Sequence, residues 1–137
     1  MNRFTLDVEY DFDFGLLAVS CHAKNYKFCW EVNQHLQFNF LRQADYTLKE
    51  NKTEVSFPVY EYQDEENGLT YQLIENYGGD SYLLKDYKKT DFLLLIKGNY
   101  NQNTINTIKN KLSELKNVLM VIELNPNEIK SKENLIF

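Results

Sequence analysis

The chain has 137 residues, is 43% hydrophobic and 15% aromatic, and carries a formal charge of −5. A domain near this size buries roughly two-thirds of the surface its unfolded chain exposes, so one core spanning residues 1–137 is expected, and two Pro and five Gly leave little room for linkers. The acidic balance argues against a nucleic-acid binder, which needs a basic patch to displace phosphate counterions; the interrupted lysines Lys85, Lys88, Lys89 and Lys109, Lys111, Lys116 read as solvated surface.

In chain order, the first element is the clearest. From Phe4 to Phe14 the residues alternate without error. Phe4, Leu6, Val8, Tyr10, Phe12 and Phe14 share one face of an extended chain; Thr5, Asp7, Glu9, Asp11 and Asp13 share the other. Period-2 patterning predicts a strand with one buried and one wet face. Gly15 permits a bend, and Leu16–Ser20 is either a second strand or a helical turn, with strand favoured. After a loop at 21–25, Asn25 is a credible helix cap, and Phe28, Val32 and Leu36 with Cys29 form one apolar face of a helix over 26–37. Trp30 falls toward its flank.

Residues 38–52 carry no clear period, although Phe38, Phe40 and Leu41 suit a short strand. Val55, Phe57 and Val59 then alternate, as do Leu69, Tyr71 and Leu73, and Asn67-Gly68 between them supplies the positive φ of a tight hairpin. Pro58 cannot donate to a ladder, so its strand is expected at an edge or with a bulge. Gly78-Gly79-Asp80 marks a turn, and Ser81–Leu84 is read as a possible third meander strand. Phe92–Ile96 is continuously apolar, as a strand covered on both faces is. Ile105, Ile108, Leu112 and Leu115 lie at helical spacing with Asn103 or Thr104 as cap. Val118–Ile122 repeats the buried-strand pattern and closes at Asn125-Pro126. Strand, helix and strand predict a β-α-β unit with parallel strands.

Few residues carry chemistry. Cys21, His22, Cys29 and His35 match none of the ligand-pair spacings of structural zinc, and Cys29 lies on the apolar helix face as a small hydrophobe. No metal and no cofactor are expected. Adjacent Cys21 and His22 point apart in a strand and do not form a nucleophile–base pair. The acidic row Asp7, Glu9, Asp11 and Asp13 is spaced roughly 7 Å along one strand face, too far for a retaining carboxylate pair. It reads first as solvated surface and second as a contact for a basic partner. Gly78-Gly79 does not open a helix, so no phosphate loop is present. No catalytic residue is assigned.

No apolar run approaches the ~20 residues of a membrane span; the longest is Phe92–Ile96. Met1–Asp7 lacks the apolar region of a secretory signal. Two cysteines do not make a disulfide scaffold, so reduced thiols in the cytoplasm are expected.

The stretch Leu84-Lys85-Asp86-Tyr87-Lys88-Lys89-Thr90-Asp91-Phe92 resembles a relaxed form of the signature of the IPExxxVDY family, a group of small bacterial proteins. Asp91 is identical and Leu84, Asp86 and Phe92 are conservative, while Lys85 stands for the proline and Thr90 for the valine. Asn25–Trp30 with Asn33, and Lys130–Phe137, extend the resemblance over most of the chain. It implies a family and brings no activity with it. Asp91, at the mouth of the buried strand, is expected to accept hydrogen bonds structurally.

The whole reads as one α+β domain: a largely antiparallel sheet, a C-terminal β-α-β unit, and two main helices on one face. The function expected is a non-catalytic protein-interaction or regulatory module with a protein partner, or a homodimer joined at an edge strand; no nucleic acid and no membrane are expected as partners. The alternative is a small-ligand binder or enzyme with a pocket between sheet and helices, lined by Tyr and Trp30. The acidic row and the apolar end Leu135-Ile136-Phe137 are the candidate partner surfaces. Self-docking of that end is favoured over recognition, because three terminal apolar residues are costly to expose.

Overall fold

The computed structural model describes residues 12–24, 26–50, 52–79 and 81–135. Residues 4–11 of the alternating run, the Asn25 cap, Ile136 and Phe137 lie outside the described residues. The elements in order are β1 (Gly15–Cys21), α1 (Tyr26–Leu36), β2 (Leu41–Arg42), β3 (Tyr46–Glu50), β4 (Thr53–Phe57), β5 (Val59–Asp64), β6 (Leu69–Glu75), β7 (Phe92–Gly98), α2 (Gln102–Ser113) and β8 (Val118–Leu124). Two 3-10 turns follow at Pro126–Glu128 and Lys132–Leu135. The architecture is α+β.

Six strands form the main sheet in the order β2-β5-β6-β7-β1-β8, and every neighbouring pair is antiparallel. β3 and β4 make a separate two-stranded sheet. Phe92–Ile96 of β7 and Leu16–Val19 of β1 are apolar at consecutive positions, so both sheet faces at the centre must be covered. On one face Leu17, Val19, Leu94 and Ile96 meet Phe28, Val32 and Leu36 of α1 and Ile105, Ile108 and Leu112 of α2. On the other, Leu16, Ala18, Leu93 and Leu95 meet Val55 and Phe57 of β4, Leu83, Leu84, Ile129 and Leu135. One cover is helical; the other is a hairpin with loops.

The local signals act as their chemistry requires. The Asn101 side chain accepts from the Thr104 backbone N–H at 3.0 Å, and the Thr104 hydroxyl accepts from the Asn101 backbone N–H at 3.3 Å, a reciprocal cap. The cap is thus Asn101 and not Asn103 or Thr104, because the helix starts a turn before its first buried residue. Gly98 has φ +100, and a Cβ there would lie 2.2 Å from the Gly68 carbonyl oxygen, so only glycine allows this close crossing.

Several expectations need correction. Residues 12–14 are not strand; the strand starts at Gly15, although Phe12 and Phe14 are buried and Asp13 is exposed as the alternation requires. Val55–Val59 is not one strand. Pro58 splits it, with β4 pairing β3 and β5 pairing β6, since a residue without N–H ends one ladder and redirects the chain. Ser81–Leu84 adds no meander strand; a lone bridge joins Tyr77 to Tyr82, and β6 pairs with β7 instead.

The strands flanking α2 are parallel in direction but not adjacent, because β1 is inserted between β7 and β8. That slot is where apolar residues on both faces of β1 find cover. Among the described strands β8 is an edge, and it is half exposed rather than buried: Val121 is 7% exposed, while Leu119, Met120 and Ile122 are 62, 53 and 45% exposed.

This layering makes a direct prediction. Leu94→Ala, at the centre of the helical face, should cost about 2–5 kcal/mol. Leu41→Ala, on the exposed two-residue edge strand, should stay within about 0.5 kcal/mol of wild type. Urea denaturation midpoints distinguish the two.

Candidate interaction surface

The stretch Leu84–Phe92 is organised by one buried polar side chain. Asn76, 0% exposed, donates from Nδ2 to the carbonyls of Tyr87 and Thr90 at 2.9 and 3.0 Å, and its Oδ1 accepts from the Leu84 N–H at 2.8 Å. Its backbone adds bonds from its own N–H to the Asp91 carbonyl and from the Leu83 N–H to its carbonyl. A buried amide so satisfied fixes a loop that has no ladder of its own. Leu84 and Phe92 are therefore core, whereas Asp86 is exposed. Asp91 takes the Cys21 N–H on Oδ2 at 2.8 Å and gives its own N–H to the Val19 carbonyl, so it fastens the start of β7 to the end of β1.

Beside this loop lies a cleft of about 310 Å³ whose polar lining includes Lys24, Glu75, Tyr77, Tyr82, Lys88 and Asp91. Burial pushes the Glu75 carboxyl above the usual carboxylate range, and the Arg42 charge partly offsets this. The rings of Tyr77 and Tyr82 lie against each other at 5.0 Å, and Lys88 lies over Tyr82. Among the described residues no Ser, Cys or His lines the cleft, so they form no nucleophile–imidazole pair there.

Cys21 and Cys29 are free and buried, while His22 and His35 are exposed, His35 facing Glu114 at 2.7 Å across α1 and α2. Burial, helped by the Asp91 charge, pushes the Cys21 thiol up to about 12, and burial pushes Cys29 up to about 11. Both thiols are thus poor nucleophiles at neutral pH. Among the described residues no three His, Cys, Asp or Glu side chains come together as a metal site.

Of the acidic row only Asp13 is described; it is exposed and accepts the Tyr100 hydroxyl. Asp7, Glu9 and Asp11 lie outside the described residues. Leu135 is 2% exposed and packs in the chain's own second layer, where the adjacent Asn134 side chain donates to the Leu83 carbonyl at 2.8 Å. It therefore faces inward and presents nothing to a partner.

The outer face of α1 is different. With 3.6 residues per turn, Tyr26 and Trp30 lie about 200° from Phe28, so burying Phe28, Cys29, Val32 and Leu36 turns them to solvent. Tyr26 is 76% exposed and Trp30 61%. Trp30 is on the solvent side of the helix and not at the flank of its apolar face. It borders an open groove of about 390 Å³ between the two helices, with Gln34, His35, Leu115 and Lys116. Below it the Asn117 side chain donates to Glu31 at 2.8 Å, fixing the chain after α2 against α1. The helical phase of the sequence carries this signal, because Trp30 falls opposite the stripe of Phe28, Val32 and Leu36.

No helix among the described residues is long and apolar enough to cross a membrane. No protein-family model, curated protein or solved structure matches the chain.

Two predictions follow from these contacts. Asn76→Ala leaves the Leu84 N–H and the Thr90 carbonyl without their partner, while the Tyr87 carbonyl keeps the Thr90 N–H at 3.0 Å; at roughly 1–3 kcal/mol for each orphaned group, stability should fall by about 2 kcal/mol or more in urea titration. The second concerns alkaline pH. Thiols raised from about 9 when unfolded to about 11 and 12 when folded stabilise the fold fully below pH 9. That contribution should be lost as pH climbs toward 11–12, and Cys21→Ala with Cys29→Ala should flatten the decline.

Proposed function

We propose that the chain is a non-catalytic protein-interaction module of the cytoplasm, and that its docking face is the outer side of α1 with the groove against Leu115. The observation that carries this reading is Trp30, 61% exposed beside an apolar groove and one turn from Tyr26 at 76%. Trp and Tyr bring large rigid apolar area and a polar tip, and they dominate binding energy in protein interfaces. The surrounding Glu31, Gln34, His35 and Lys116 supply a polar rim. The partner expected is a protein that inserts an apolar anchor beside Trp30.

The resemblance to the IPExxxVDY family sits comfortably with this reading. Its residues Leu84, Asp91 and Phe92 serve the fold, so the shared stretch preserves an architecture and leaves recognition to the exposed helix. A second reading, a small-ligand binder, draws on the cleft at Glu75, Lys24 and Lys88. A small molecule retained in native mass spectrometry and released by Lys88→Glu favours it.

Immobilised full-length protein tests the first reading. Wild type should retain a protein from native lysate that Trp30→Ala loses, with the melting temperature of the variant unchanged because Trp30 is not core. If every retained protein survives Trp30→Ala, the docking face lies elsewhere.

A further inference from the structure

The cleft beside the Leu84–Phe92 loop carries both signs of charge in its wall. Among its described lining residues Lys24 and Lys88 are cationic, and Glu75 and Asp91 are acidic. The two lysines are exposed and stand at the rim, while Glu75 is partly buried. Ala23, Thr90 and Phe92, at 5, 8 and 2% exposed, close the inner side. Between rim and interior lie the paired rings of Tyr77 and Tyr82, with Lys88 over the second.

Two polar groups of this wall are left for something else to satisfy. Asp91 is committed to the Cys21 N–H, and the Tyr77 hydroxyl donates to the Gly79 carbonyl. The side chains of Glu75 and Thr90 make no hydrogen bond to another described residue, although both line the cleft. Arg42, whose charge reaches Glu75, is itself paired with Asp45. Buried polar groups are nearly always hydrogen-bonded, and Thr90 is more than nine-tenths buried. A half-buried carboxylate is likewise stabilised by a cation or N–H donor brought against it.

The charge layout decides what kind of molecule fits. A simple anion meets Glu75 and Asp91, and a simple cation meets Lys24 and Lys88. The four lining charges cancel, which suits a ligand that is neutral overall and carries opposite charges at its two ends. Size narrows the choice further. A cleft of about 310 Å³ stands at the lower end of the ~300–1,000 Å³ of ligand sites, which fits a molecule of amino-acid size and not a dinucleotide.

We propose that the cleft binds a free α-amino acid, its ammonium group against Glu75 and the Thr90 hydroxyl, its carboxylate toward Lys24 and Lys88, and its side chain along Tyr77 and Tyr82. This inference rests on the second reading above, that the cleft is a ligand site, and is independent of the role given to Trp30.

Titration of the full-length protein with each of the common L-amino acids, followed by amide NMR shifts, tests it. The amino acid that binds best should move the amides of Tyr77, Tyr82, Thr90 and Phe92. Acetylating its amine or amidating its carboxylate should each weaken binding about tenfold or more, since each removes one charged contact. Glu75→Gln should weaken the free amino acid by a similar factor and cancel the effect of acetylation. Lys24→Ala with Lys88→Ala should cancel the effect of amidation instead. Unchanged β7 amide shifts check that each variant is folded. Acetylated and free forms that bind wild type alike overturn the proposal, as does an acetylation effect that survives Glu75→Gln. Adenosine monophosphate and putrescine are titrated alongside as an anion and a cation. If either moves those amides and no amino acid does, the cleft remains a ligand site and the amino-acid assignment is overturned. If none of these probes moves them, the ligand-site reading falls with it.

Discussion

Burial of β1 and β7 on both faces is the constraint to which the rest of the structure answers. Their apolar runs leave no wet side, and a sheet with one cover would expose either Leu17, Val19, Leu94 and Ile96 or Leu16, Ala18, Leu93 and Leu95. Each Leu, Val or Ile among them is worth about 1.5–3 kcal/mol when removed from water. The chain meets the demand twice. Two amphipathic helices cover one face, and the β3–β4 hairpin, the Leu83–Leu84 loop and the C-terminal turns cover the other. The insertion of β1 between β7 and β8 follows from the same demand, because the slot covered on both sides is the one that suits it.

The second cover lacks regular structure, so it is held by specific polar contacts. Asn76 is the main one. A helix satisfies its own backbone, but the loop at 83–91 cannot, and buried N–H and C=O groups must find partners. A single carboxamide with two donors and an acceptor serves three of them at once. Asp91 extends the arrangement to β1, and Ser20 adds a bond from its hydroxyl to the Lys89 carbonyl at 2.8 Å. The stretch Leu84–Phe92, whose Asp91 the sequence suggested as a structural acceptor, is in this chain a structural clamp.

The centre is committed to stability, and the exposed aromatic side chains lie at the periphery. The ionisable groups with raised pKa, among them Cys21, Cys29, Tyr71 and the cleft residue Glu75, are shifted chiefly by burial. The exposed aromatic face of α1 is the opposite case. Tyr26 and Trp30 do nothing for the core, and their cost in water is offset only when something covers them.

The sequence by itself determined the elements whose pattern is local. The central strand Phe92–Ile96, the apolar faces of α1 and α2 and the Asn67-Gly68 hairpin were legible, because period and turn chemistry act over a few residues. For Leu16–Ser20 the sequence favoured a strand and left a helical turn open, because periodicity does not separate the two in so short an apolar run; the pairing with β7 and β8 decided it. Tertiary structure decided what depends on neighbours. Whether an apolar run is central or an edge is set by what lies beside it, so Val118–Ile122 read like Phe92–Ile96 and yet is half exposed. Whether Val55–Val59 is one strand or two depended on the ladder that Pro58 could not complete. The role of Asn76 was invisible, since a buried amide is recognised by partners that lie 7 to 15 residues away in sequence and meet only in the folded loop. Trp30 stands between the two cases: its phase on the helix was written in the sequence, but the groove that gives the phase a meaning exists only once α2 is docked against α1.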